Sequence, residues 1–395
     1  MKTTMLTQSH IDIIKSLAPL LETTGATLTD HFYGRLFAAH PELMDIFNMS
    51  HQQSGAQKLA LFSIIAAYAK NIETPQVLRK DVERIAHKHT SFNVQPEMYQ
   101  IVGHHLTETL RDLTGELFTA EVEEAWQAAY SFLAEMFIHR EQQLYTSKLA
   151  EPGGWRNART FIVQAIEQES ELVKSFILVP EDNGPVISYQ PGQYLGIKVK
   201  PPGYPHTEIR QYSLSDKPNG KCYRISVKRE SGDIPGVVSN YLHDHVNKGD
   251  AIEVHPPAGD FYFLDRNTPV VLISAGVGAT PMQAMLEHLA HIHYQHQVYY
   301  LHACETPAQH SFSQRTKTLI SHNNWQSFTW YAQQSHADAL QGMMNFDAVD
   351  VPYGLAHFYL CGPVGFMAFA KKQLLAQGVA QERIHYEVFG PHQDL

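Results

Sequence analysis

Val270-Val-Leu-Ile-Ser-Ala-Gly-Val-Gly-Ala-Thr-Pro281 decides the fold of the last third of the chain. Val270–Ser274 reads as a buried strand, Gly276–Pro281 as a tight loop, and Met282–His291 as a helix. Gly276 and Gly278 let backbone amides approach a diphosphate, and Pro281 suits a first helical turn. The pattern is GxGxTP rather than the GxGxxG of dinucleotide dehydrogenases, so alone it is a weak signal. Further strands at Gln297–Leu301, Phe328–Ala332 and His357–Leu360 alternate with helix-like stretches, which predicts a parallel α/β sheet from Pro269 onward.

Upstream the texture changes. Short β runs at Phe161–Ile166, Leu172–Val179, Tyr194–Val199 and Tyr223–Lys228 are separated by turn clusters such as Lys217-Pro-Asn-Gly220, as in a small antiparallel barrel or sandwich. Glu151-Pro-Gly-Gly154 reads as a linker. Before about residue 148 the apolar period is helical: Trp126, Ala129, Leu133, Phe137 and Leu144 form one stripe. The expected order is therefore all-α, antiparallel β-barrel, then α/β, with boundaries at 1–150, 155–266 and 267–395.

Hydrophobic residues make up 44 % and charged residues 18 %, which excludes a disordered chain. A net charge of −10 argues against non-specific nucleic-acid binding. Cys222, Cys304 and Cys361 form no CxxC pair, so neither a disulfide framework nor a cysteine metal site is expected, and a cytoplasmic location fits. The first apolar stretch, Ile11 to Leu21, is broken by Asp12, Lys15 and Pro19, unlike a signal-peptide core, and no stretch is long enough for stable membrane insertion.

Three polar residues interrupt the helical stripes. His89 ends the stripe Leu78, Val82, Ile85; Tyr99 shares one with Val102, Leu106, Leu110 and Leu113; Glu141 continues Leu133 and Phe137. A lone histidine there is commonly a core residue, and a buried carboxylate is costly unless paired, so the three together read as a polar network around a site. His87 falls off the stripe and is expected to be exposed. Gln57 lies in phase with Leu61, Ile64, Ile65 and Tyr68, and Tyr33 shares a helix with Phe32, Leu36 and Phe37; a solvated glutamine and a core tyrosine are the ordinary alternatives.

His40-Pro-Glu-Leu43, Ile46-Phe-Asn-Met49 and Ala86-His-Lys-His-Thr90 resemble the globin part of flavohaemoglobins. Arg210-Gln-Tyr-Ser213, Gln190-Pro-Gly-Gln-Tyr194, Gly236-Val-Val-Ser-Asn-Tyr-Leu-His243, Tyr359-Leu-Cys-Gly-Pro363 and Glu387-Val-Phe-Gly-Pro391 resemble their ferredoxin-reductase-like module, so the likeness runs over nearly the whole chain in the family's domain order. It implies haem b held by His89, with Tyr99 and Glu141 pushing that imidazole towards imidazolate. Phe47 and Leu61 would pack on the haem, Tyr33 and Gln57 would donate hydrogen bonds to haem-bound oxygen, and Lys88 occupies a haem-tuning position that a solvated lysine would suit nearly as well. FAD would be held by Tyr194, Arg210, Gln211, Tyr212, Ser213 and the helix opening at Val238, Ser239 and Asn240, with Phe389 covering it. NAD(P)H would meet Gly276, Val277, Gly278, Ala279, Thr280, Pro281, Cys361, Gly362, Pro363 and Glu387, and would displace Phe389. Cys361 would be a wall rather than a nucleophile.

The implied activity is nitric oxide dioxygenation, with electrons passing from NAD(P)H through FAD to haem. Oxygen, nitric oxide and NADH or NADPH are the expected partners of a monomer. His302-Ala-Cys-Glu305 holds no decisive Arg or Asp, and family habit favours NADH. A reductase of hydroperoxides or other acceptors, and a haem-based gas sensor, are the competing readings.

Overall fold

The computed structural model describes residues 6–47, 56–232, 235–334, 336–390 and 395. By backbone contacts the chain divides into one unit of Met1–Ala150 with Pro202–Ile209, and a second of Glu151–Pro201 with Arg210–Leu395.

The first unit is helical: α1 (Gln8–Ala39), α2 (Ala56–Lys70), α3 (Arg79–Thr90), α4 (Pro96–Thr114) and α5 (Ala120–Ala150). Thr7 caps α1 by accepting from His10 N, and α1 runs through Pro19. The helix survives the lost amide because Ile14, Ala18 and Leu21 on either side are buried in the common core. Pro96 opens α4, and Gly115, at φ +55, ends it in a left-handed conformation that a glycine adopts without strain. The stripes read from sequence face inward: Phe32, Leu36, Leu106, Leu110, Trp126, Leu133 and Phe137 are all buried, each contributing about 1.5–3 kcal/mol. Leu113 departs from the pattern at 40 % exposure, because it lies in the last turn of α4.

The second unit carries two sheets, except that Glu208 and Ile209, which open one strand, fall in the first unit. Strands β1 (Arg159–Gln168), β2 (Val173–Pro180), β3 (Tyr194–Val199), β4 (Glu208–Ser213), β5 (Tyr223–Lys228) and β6 (Ala251–Val254) form one sheet in the order β4-β3-β6-β1-β2-β5. The registers of β1 with β2 and β6, of β2 with β5, and of β3 with β6 are antiparallel. A bulge between Val163 and Ala165 bends β1, and an antiparallel bridge from Leu214 to Ile225 brings the two edges of the sheet together, in line with the expected barrel. Phe161, Phe176, Leu178, Tyr223 and Ile225 fill its interior, and α6 (Val237–His245) packs Val238 and Leu242 against it.

The other sheet is parallel: β7 (Val270–Ala275), β8 (Val298–Cys304), β9 (Gln326–Tyr331), β10 (Leu340–Gln341), β11 (His357–Cys361) and β12 (Ile384–Glu387), in the order β10-β9-β8-β7-β11-β12. Helices α7 (Ala279–His291), α8 (Ser313–His322) and α9 (Val364–Ala376) follow β7, the β8 loop and β11. Their apolar faces cover the two faces of the sheet, one through Met282, Met285 and Leu286, the other through Ala370 and Leu374. Strand order reverses between β7 and β11, and at such a switch point the carboxyl ends of the strands leave a crevice for a ligand.

Candidate functional site

In the helical unit, the last turn of α3, the first of α4 and the middle of α5 converge on one hydrogen-bonded triad. Nδ1 of His89 lies 2.8 Å from Glu141 Oε1 and 2.8 Å from Tyr99 Oη. The Tyr99 hydroxyl donates to the same Glu141 oxygen. Glu141 is only 3 % exposed, so these donors are what make a carboxylate tolerable there. Burial and the Glu141 charge push the Tyr99 hydroxyl far above its ordinary pKa, so it remains a donor. With Nδ1 committed, Nε2 is the ring nitrogen left for a metal. A carboxylate behind the imidazole is the usual support of a histidine ligand, so the donor set fits a haem iron.

The triad has a brace that the sequence reading missed. Tyr130 on α5 donates to the Tyr99 carbonyl at 2.7 Å. Its ring lies so close to Gly103 of α4 that any side chain there would collide with it. A glycine inside an otherwise regular helix was the available signal.

His87 is not exposed as expected. It is 8 % exposed, with Nε2 3.1 Å from Glu83 Oε1. Arg140 of α5 grips the same carboxylate with two donors at 2.6 Å. His87 therefore belongs to an ion-paired contact between α3 and α5. Its hydrogen bond first, and then Arg140, hold the Glu83 carboxyl down to about 2.

Across the helical core, Tyr33 is buried, with its ring centroid 5.8 Å from that of Phe47 at 76° and 5.6 Å from that of Phe37. Phe37 and Phe47 meet edge to face at 5.5 Å. Leu61 packs on the same core, and Lys88 is half-buried. Gln57 lies on α2, but its side chain is outside the described residues, as are Asn48 and Met49.

On the antiparallel sheet, β4 presents Arg210, Gln211 and Tyr212 half-buried and ends on buried Ser213. Burial raises the Tyr212 hydroxyl above its ordinary pKa. Tyr194 is buried beside Gly259, whose φ is +117 and where an added Cβ would come within 3.0 Å of the tyrosine ring. Only glycine lets that loop close on Tyr194. At the start of α6, Val238 and Ser239 are buried, and Asn240 Nδ2 donates at 2.8 Å to the carbonyls of both Gly236 and Glu230. The Asn240 side chain thus braces the loop that leads into the helix.

At the switch point, register aligns three motif residues: Ser274 stands beside Cys361, and Cys361 beside Glu387. A Cβ on Gly278 would run into the Cys361 carbonyl and come within 2.7 Å of Gly362 N, so the two glycine loops touch backbone to backbone. A Cβ on Gly276 would meet nothing within 4 Å, and the residue sits at φ +53. That combination leaves open space where a side chain would stand, as a loop that lets a diphosphate approach its backbone requires. Helix α7 begins at Ala279, so Thr280 and Pro281 form its first turn, and Thr280 Oγ1 donates to Val277 O at 3.0 Å. Pro363 precedes α9 as its cap. Cys361 is fully buried, and burial with Glu387 beside it pushes the thiol well up. That suits a wall and not a nucleophile. Ser274 is held by His302, Oγ to Nδ1 at 2.9 Å, a partnership the sequence pattern did not reveal. Phe389, just past β12, is 46 % exposed.

Comparison with known proteins follows the same three-part division. The globin family model matches residues 30–137, the oxidoreductase FAD-binding domain model 160–263, and the oxidoreductase NAD-binding domain model 272–372. The flavohaemoglobin of Malassezia yamatoensis, solved with bound FAD and haem, superposes with a TM-score of 0.88 at 26 % identity, covering 98 % of this chain and 100 % of that one. The FAD/NAD-binding domain of the nitric oxide dioxygenase of Vibrio cholerae is 53 % identical with a TM-score of 0.58, covering 60 % of this chain and all of that one. A flavohaemoprotein of Vibrio cholerae is 57 % identical over 393 residues, 99 % of this chain and 100 % of its own length. With its histidine–carboxylate triad, its two cofactor sheets and a relative matched from end to end, this chain belongs to the flavohaemoglobin family.

Proposed function

We propose that this protein is a nitric oxide dioxygenase that draws electrons from NAD(P)H through FAD to haem b. The observation that carries the reading is the triad of His89 and Tyr99 on the buried Glu141, in the same chain as a strand-end nicotinamide crevice. When bound, the flavin turns the hydride of NAD(P)H into single electrons, and the haem is where oxygen and nitric oxide combine to nitrate.

Each side chain then has a defined task. His89 offers Nε2 to the iron, while Glu141 and Tyr99 fix its ring and raise its electron donation. Tyr33 and Gln57 would donate hydrogen bonds to a ligand bound at the haem, and Phe47 and Leu61 would pack against the haem itself. Arg210 provides a fork for the flavin phosphate, Tyr194 and Tyr212 flank its ring system, and Ser213 donates to it. The Gly276–Pro281 loop holds the nicotinamide diphosphate. Cys361 and Glu387 wall the nicotinamide, and Phe389 stands as the removable cover of the flavin.

The balanced reaction is two nitric oxide, two oxygen and one NAD(P)H to two nitrate, NAD(P)⁺ and one proton. Nitrate formed per NADH consumed, with both gases supplied, tests it, and about two is expected. NADH consumption without nitrate would favour a reductase of other acceptors, and negligible turnover would favour a sensor. We take NADH as the donor, a cytoplasmic monomer as the working form, and 1–150, 155–266 and 267–395 as the domains. No described helix is long and apolar enough to cross a membrane, and the charge of −10 offers no footprint for nucleic acid.

A further inference from the structure

Apart from Glu208 and Ile209, the antiparallel and parallel sheets lie in one unit, and a half-buried ionic bridge joins the segments that follow them. Asp216 follows Ser213, the end of β4, by three residues. Its Oδ2 accepts from Arg315 Nη2 at 3.1 Å, and the same guanidinium donates through Nε to Glu287 on α7. Glu287 is 6 % exposed and also accepts from Gln283 Nε2 at 3.0 Å. A carboxylate so deeply placed is tolerable only with such partners. Helix α7 starts directly after the Gly276–Gly278 loop. One guanidinium therefore ties the strand of the flavin motif to the helix of the nicotinamide motif. A planar fork engaged at two nitrogens fixes angle as well as distance, which a lysine would not do.

A second contact lies beside it. The Arg224 guanidinium, on β5, stacks over the Phe312 ring at 5.2 Å. Phe312 is buried and holds φ at +61, a left-handed conformation rare for a bulky residue unless its surroundings over-determine it. Two side-chain contacts, one ionic and one cation–π, thus join the two parts of the unit.

We infer that Arg315, with Asp216 and Glu287, is a positioning device for hydride transfer, setting how the nicotinamide crevice faces the flavin strand. The inference rests on the flavin and nicotinamide roles proposed above. In the transfer a hydride leaves the dihydronicotinamide, which is oxidised, and is taken up by the flavin, which is reduced. Arg315 exchanges neither proton nor electron.

The test is stopped-flow bleaching of the flavin by NADH in the full-length, FAD-loaded protein. Arg315→Ala should lower the limiting rate about tenfold or more, as misplacement of reactants by an ångström does, with bound FAD unchanged and the NADH dissociation constant moved less than about threefold. Arg315→Lys, which keeps the charge but not the fork, should recover only part of the rate. Asp216→Asn, a change that keeps the side-chain size, should lower the rate in the same direction and serves if the alanine variant folds poorly. A limiting rate within about twofold of wild type in both Arg315→Ala and Asp216→Asn would overturn the inference, as would a loss fully accounted for by lost FAD. Wild-type protein that binds FAD yet is not bleached by NADH would overturn the functional reading itself, and this inference with it.

Discussion

Replacing Glu141 with glutamine tests the proximal triad at its centre. The substitution keeps size and an acceptor oxygen but removes the charge. Glu141 accepts from His89 Nδ1 at 2.8 Å and from the Tyr99 hydroxyl, and it is 3 % exposed, so solvent does little to screen either bond. A hydrogen bond to a charged group contributes about 1.5–3 kcal/mol and a neutral one about 0.5–1.5, so each of the two should weaken by roughly 1 kcal/mol. The sum, about 2 kcal/mol, should move the urea midpoint of Soret loss down by about 1 M for a slope near 2 kcal/mol per molar. The ferrous iron–histidine stretch in resonance Raman should fall in the same variant, because a neutral amide polarises the imidazole less than a carboxylate does. An unchanged midpoint together with an unchanged stretch would refute the argument, since the carboxylate would then neither hold His89 nor tune it.

Tyr33→Phe should speed oxygen release from the ferrous protein about tenfold or more, the loss of one charge-assisted bond, while NADH-driven reduction of an artificial acceptor at the flavin stays as it was. Equal loss of both activities would instead indicate misfolding. Gly278→Ala should sharply weaken NADH binding while FAD stays bound, because the new methyl group meets the backbone of Cys361 and Gly362; a normal titration would mean those loops do not need their close approach. The Glu83 carboxyl is held down to about 2 by His87 and Arg140, so its stabilising effect is complete above the ordinary 4.5 and is lost as pH falls towards 2. Glu83→Gln should flatten the acid limb of the stability curve over that window, and identical limbs for both proteins would remove the assignment.

The buried sheet was the most legible part of the chain. Val270–Ser274 reads as a strand because parallel strands covered on both faces are continuous apolar runs, and the structure extends it by one residue to Ala275. Tyr194–Val199 and Tyr223–Lys228 also match their observed limits. Leu340–Gln341 and Ala251–Val254 went unread, since two or four residues carry too little periodicity to separate from a turn. The triad was legible because His89, Tyr99 and Glu141 each interrupt an apolar stripe, whereas His87 was misjudged because a stripe reports one covered face only. Arg140, which shares Glu83 with His87, comes from a helix whose docking angle no local pattern encodes. The bridge from Asp216 to Arg315 joins residues 99 apart in the chain, and it depends on how a loop of one sheet meets a helix of the other, which no local pattern encodes.

The burial of Cys361 bears on the chemistry the protein must survive. Thiols are alkylated, oxidised and nitrosated mainly as thiolates, and this one is fully buried, with its pKa pushed well up by burial and by Glu387. Burial thus favours the unreactive thiol over the thiolate at the end of β11. A thiol so enclosed is kept out of reach of soluble electrophiles, so iodoacetamide should leave Cys361 unmodified in the folded protein.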